Sequence, residues 1–112
     1  MRLFIRVYAN CDGETEARTI ASRLKAALSY LTPTEAELPR QYWKQNGAYE
    51  FTYHLLPATE QSARSLTERL PSHWTHEGTK NESSAVWNRK HDGVFLTPEV
   101  YWAEVQLHEA AT

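Results

Sequence analysis

The chain has 112 residues, a formal net charge of −2, 41% hydrophobic and 23% charged residues, ordinary globular usage that argues against intrinsic disorder. Its mass of 12.9 kDa and pI near 6.2 fit a single domain over 1–112 and argue against a dedicated nucleic-acid binder, which carries a basic footprint. One cysteine, Cys11, leaves no intramolecular disulfide to staple the fold.

The first segment alternates: Leu3, Ile5 and Val7 on one side, Phe4, Arg6 and Tyr8 on the other. This predicts a half-buried strand, ended by Asn10 and the Asp12-Gly13 turn. Such a start is not a secretory signal, and no apolar run approaches the ~20 residues that span a bilayer. A cytoplasmic protein, away from the membrane, is expected. Glu14 to Leu31 predicts a helix, because Ala17, Ile20, Ala21, Leu24, Leu28 and Leu31 recur at helical spacing. Asp12 is the expected cap, and Thr32-Pro33 the stop.

Thr32 to Leu38 reads as a polar connector. Arg40 to Lys44 and Ala48 to Leu56 read as two strands joined through Gln45-Asn46-Gly47, since Asn-Gly between such runs is a hairpin signal. In the second, Tyr49, Phe51, Tyr53 and Leu55 oppose Glu50, Thr52 and His54. A second helix runs from Pro57 and Thr59 through Leu70, with Pro71 beyond it. The remainder is strand-like: Trp74 to Gly78, Ser84 to Asn88, Val94 to Thr97 and Val100 to Leu107, with Asp92-Gly93 as a turn. The order predicts an α+β fold, two helices on one face of an antiparallel sheet, with a ferredoxin-like β-α-β-β-α-β core and extra C-terminal strands.

Motifs for catalysis, metal or cofactor are missing from the sequence, and none of the three is expected. His73 and His76 are three apart, which on a strand sends them to opposite faces. Glu50 and His54 share a strand face and could form an acid–base pair, although charged side chains are ordinary on a solvated sheet face. Cys11 has no nearby basic residue in sequence to activate it. The β-α-β-β-α-β order resembles the RNA-recognition module, but Ala48 and Glu50 stand where its stacking aromatics belong. Direct nucleic-acid binding is therefore not expected.

The C-terminal part points elsewhere. Trp102 shares its strand face with Glu104, Gln106 and His108. From Asp92 onward the acids are Asp92, Glu99, Glu104 and Glu109, with no Lys or Arg. An acidic, aromatic-bearing face suits a basic protein partner, with the aromatics as anchors and the acids steering association. A homodimer seam is the alternative use of Trp102. The stretches Glu82-Ser83-Ser84-Ala85-Val86-Trp87-Asn88, Phe95-Leu96-Thr97-Pro98-Glu99-Val100 and Trp102-Ala103-Glu104-Val105 resemble immunity proteins of bacterial polymorphic toxin and contact-dependent growth inhibition systems. The resemblance implies a cognate toxin domain, often a nuclease, neutralised by binding over or beside its active site. The expected partner residues, from the face argument, are Trp87, Asp92, Glu99, Trp102 and Glu104. Two other readings stay open: a small-ligand or regulatory-dimer domain, and a small enzyme using His54 and Glu50.

Overall fold

Alternation along the first segment places Leu3, Ile5, Val7 and Ala9 in the interior, while Phe4, Arg6 and Tyr8 are half-exposed. That strand, β1 (Arg2–Asn10), lies in the middle of the sheet. The computed structural model describes residues 1–68, 74–79, 82–88 and 94–109. Within them follow α1 (Glu14–Ala27), a 3-10 turn (Ser29–Leu31), β2 (Thr34–Gln41), β3 (Ala48–Leu55), α2 (Glu60–Thr67), β4 (Trp74–Thr79), β5 (Glu82–Asn88) and β6 (Val100–His108). The protein is α+β: two helices and a six-stranded antiparallel sheet in the order β2-β3-β1-β6-β5-β4. The two additional strands, β4 and β5, precede β6 in the chain and lie outside it in the sheet.

Register decides which side of each strand is interior. Leu3, Ile5 and Val7 stand opposite Leu55, Tyr53 and Phe51 on β3, and opposite Leu107, Val105 and Ala103 on β6. Trp87 and Ala85 continue this row onto β5, against Ala103 and Val105. Both helices cover that side: Ala17, Ile20, Ala21 and Leu24 of α1 and Leu66 of α2 join the same core cluster. Each fully buried large aliphatic there contributes about 1.5–3 kcal/mol. Phe95 adds an aromatic corner, its ring edge-on to Trp74 at 5.1 Å and 5.7 Å from Trp87.

Several elements differ from expectation. The apolar stripe from Ala17 to Leu31 is buried throughout, but α1 ends at Ala27, and Leu31 belongs to the 3-10 turn closed by Thr32 at φ 46°. An i, i+3 step from Leu28 to Leu31 keeps both side chains inward in the tighter turn. Gly13, not Asp12, occupies the N-cap, and the Glu16 carboxylate reaches back to accept from the Asp12 N–H at 3.2 Å. The supposed connector is strand β2. Its pairing with β3 is interrupted on both sides of Glu37, and it carries Pro39, both features of an edge strand. Residues 42–47 form a longer hairpin loop than an Asn-Gly turn, with Gly47 alone at positive φ (75°). Thr59 caps α2, accepting from the Ser62 N–H at 3.1 Å. Val94 to Thr97 is not a strand; it has one bridge, Phe95 to Thr97. Leu70, Pro71, His73, Asp92 and Gly93 lie outside the described residues.

No helix among the described residues is long and apolar enough to cross a membrane.

Candidate functional site: the open face of the sheet

Opposite the helices, the sheet carries Phe4, Arg6 and Tyr8 on β1, Glu50, Thr52 and His54 on β3, and Trp102, Glu104 and Gln106 on β6, brought together by register. An antiparallel sheet often leaves one side to water. This one is organised by aromatic and ionic contacts instead.

Tyr8 lies between two rings. Tyr42, just past the end of β2, stacks on it at 4.3 Å and 15°, and Trp102 stacks on the other side at 4.8 Å and 23°. Trp102 stands directly opposite Tyr8 on the neighbouring strand, with a ring separation near the strand spacing, whereas Tyr42 reaches Tyr8 from beyond β2, across β3. The Tyr8 ring is thereby covered by both neighbours. A base-stacking platform instead leaves its ring faces open to the bases. The row therefore forms a ridge suited to contact from above. A β-bulge at Tyr8/Ala9 shifts the β6 register and leaves Tyr101 between Trp102, opposite Tyr8, and Val100, opposite Ala9.

Beside the ridge lies Glu50, a carboxylate only 8% exposed. Arg40 Nε donates to Glu50 Oε1 at 2.9 Å, and Arg6 Nε lies 3.4 Å from Oε2. The second Arg6 contact is Glu104 Oε1, at 3.5 Å from Nη1. The Tyr8 phenol stands beside Glu50 and is pushed up to about 12, first by burial and then by the carboxylate. Glu50 is thus tied to three neighbours, which hold strands β1, β2, β3 and β6 in one polar network.

The residues expected to meet a partner separate on this framework. Trp102 and Glu104 are on the open face, half-buried, in the ridge and the ionic network. Trp87 is on the other side with no exposed surface, so it belongs to the core and cannot anchor a partner in this fold. Strand alternation placed Trp87 opposite Val86 but could not say which of the two pointed inward; the pairing of Trp87 with Ala103 does. Glu99 lies beyond the face and pairs with Arg23 of α1 at 3.6 Å. Asp92 is outside the described residues. Tyr8, Tyr42 and Trp43, in contrast, were not singled out from sequence. The alternation of Phe4, Arg6 and Tyr8 away from the core was the signal for Tyr8, whereas Tyr42 and Trp43 come from the hairpin loop.

Glu50 and His54 share the face but line different hollows. Glu50 borders one of about 190 Å³ with Tyr8, Arg40, Tyr42, Trp43 and Lys44, and His54 borders another of about 370 Å³ at the far end of β1. The His54 ring packs on Phe4 at 5.7 Å. His76 is on exposed strand β4 opposite Ala85; no group of three or more His, Cys, Asp or Glu among the described residues could hold a metal ion. Cys11 is buried with its Sγ 3.2 Å from the Gly13 carbonyl oxygen, and burial pushes its thiol up, away from the reactive thiolate. A larger groove of about 450 Å³ lies on the helix side between α1 and β2, lined by Ala17, Ala21, Lys25, Leu38 and Tyr49.

No protein-family model, curated protein or solved structure matches the chain.

Proposed function

We propose that the chain is an immunity protein that binds a cognate toxin domain, a nuclease being the expected class, and neutralises it by covering its active site or substrate cleft. The observation that carries this reading is the open face: three stacked aromatic rings beside a carboxylate-rich flank. Aromatic side chains held rigid by stacking give large contact area at little entropic cost, as interface anchors do. On the β6 side, Glu77, Glu82 and Glu104 border one hollow with Gln106 and His108. Carboxylates there suit a cleft that is basic because it handles phosphates. The Tyr8 ring, covered by its two neighbours, favours a protein over a nucleic acid as the occupant.

The strand order supports the ferredoxin-like form of the fold. In β2-β3-β1-β6, with α1 following β1 and α2 following β3, β6 takes the place of the fourth strand and β4–β5 is an insertion before it. The enzyme reading draws little from this face, since Glu50 is saturated by Arg6, Arg40 and Tyr8 and is separated from the hollow at His54.

The test is to read the neighbouring genes for a secreted protein with a toxic C-terminal domain and to co-express that domain with the chain. Growth rescue and a 1:1 complex are expected, and Glu104→Lys should weaken the complex while preserving the fold. A domain that still kills in the presence of the folded chain would refute the assignment. An unchanged affinity for Glu104→Lys would remove the β6 flank from the interface.

A further inference from the structure

We propose that the tip of the β2–β3 hairpin, Tyr42-Trp43-Lys44, is the specificity anchor of this interface, with the Trp43 indole entering an apolar cavity on the toxin domain whose rim is acidic. The inference rests on the toxin-binding reading and deepens it.

Trp43 is 82% exposed, the most exposed of the large hydrophobic residues among the described ones. The other tryptophans contrast with it: Trp87 and Trp74 are 0% and 7% exposed, and Trp102 is half-buried in the stack. An indole carries the largest apolar surface of any side chain, and the fold gains almost nothing from this one. Nor is it loosely placed. Its ring meets Tyr42 edge-on at 6.4 Å, which continues the ridge Trp102–Tyr8–Tyr42 to a fourth ring. The loop beneath is held by backbone bonds from Tyr42 N–H to the Ala48 carbonyl (2.8 Å), from Gln45 N–H to the Tyr42 carbonyl (3.2 Å), and from Cys11 N–H to the Gly47 carbonyl (2.8 Å). A large apolar group presented on a fixed loop is prepaid in conformational entropy, which is what a hot spot requires.

Charge identifies the cavity's rim. The Lys44 ammonium lies 5.0 Å over the Trp43 ring and pairs with no carboxylate among the described residues. Arg40, on the same hollow, is paired with both Glu50 and Glu37, so Lys44 is the cation left over at the hairpin end. Glu77, Glu82 and Glu104 stand at the β5–β6 end. The matching surface is polarised in the opposite sense: basic where it meets β6, apolar with carboxylates where it meets the hairpin. A toxin that is basic throughout would fit only half of this face.

The experiment measures the affinity of the purified chain for the purified neighbouring toxin domain, using the wild type, Trp43→Ala, Trp43→Phe, Lys44→Glu and Leu38→Ser. Leu38 is the control, 78% exposed but on the helix side. Trp43→Ala should weaken binding about tenfold or more, with Trp43→Phe keeping most of the affinity and Leu38→Ser within about twofold of wild type. Lys44→Glu should also weaken binding. Iodide quenching gives a second readout, because the one highly exposed tryptophan should become protected in the complex. Wild-type binding with Trp43→Ala unchanged, or with Trp43 still quenched, overturns the anchor and spares the toxin reading. Failure of the wild type to bind overturns both.

Discussion

At the scale of single residues, Tyr8 links the two halves of the open face. Its ring is the middle of the stack, and its hydroxyl belongs to the Glu50 network. Each stacked pair contributes about 0.5–1.5 kcal/mol beyond area burial. The phenol, ordinarily near 10, is held up to about 12 in the folded chain, so the native state keeps a proton that the unfolded state releases. That contribution to stability is complete below pH 10 and is lost as pH rises toward 12. Denaturant unfolding at pH 9 and at pH 11.5, conditions set on either side of about 10, should therefore show a smaller alkaline loss for Tyr8→Phe than for the wild type. Tyr53 and Tyr101 are also raised by burial, so the variant should reduce the loss without abolishing it. Identical alkaline losses in the two proteins would detach Tyr8 from the network.

At the scale of elements, what could be read from sequence followed how regularly each element buries a face. β1, β3 and β6 declare themselves by period-two alternation, and their pairing carries Trp102 and Glu104 to the open side. β2 did not, because Thr-Glu-Ala-Glu-Leu-Pro-Arg-Gln is polar on both sides and its ladder is broken twice. Tyr42 was hidden for the same reason, since its partner Tyr8 is distant in sequence and only the sheet brings them together. The helices were legible from their apolar stripes, although α1 gives way to a 3-10 turn after Ala27 and α2 ends at Thr67. Helix α2 has eight residues, too few to be stable alone, so its start depends on Thr59 Oγ1 accepting from Ser62 N–H. Thr59→Ala should lower the unfolding free energy by about 1 kcal/mol, measured in denaturant, while Thr59→Ser should cost much less. Equal losses in both variants would mean that the hydroxyl is not the source.

At the scale of the whole molecule, a net charge of −2 conceals a separation of sign along the open face. The acidic C-terminal face read from sequence suits a basic partner surface. The structure adds Lys44 at the hairpin end, beside an Arg40 paired with Glu50 and Glu37, opposite Glu77, Glu82 and Glu104. Under the proposed function, association with a toxin domain should thus be steered by the distribution of charge as well as by net charge. Raising the salt from about 0.05 to 0.5 M shortens the Debye length from over 10 Å to under 5 Å, and the association rate should fall several-fold while dissociation changes little. A stopped-flow series across that range tests it, and an association rate independent of salt would count against electrostatic steering.

The ridge also carries a consequence for how the protein is made. Tyr8 is near the start of the chain and Trp102 near its end, and Arg6 meets Glu104 across a separation of 98 residues. β1 has its β3 neighbour midway through synthesis but lacks its β6 neighbour until the last described strand has emerged. Pairings this distant form late, because the intervening chain must be closed first. Until β6 has emerged, the chain thus lacks half of its aromatic ridge and the β6 carboxylate together, and under the proposed function it could not yet engage a toxin domain.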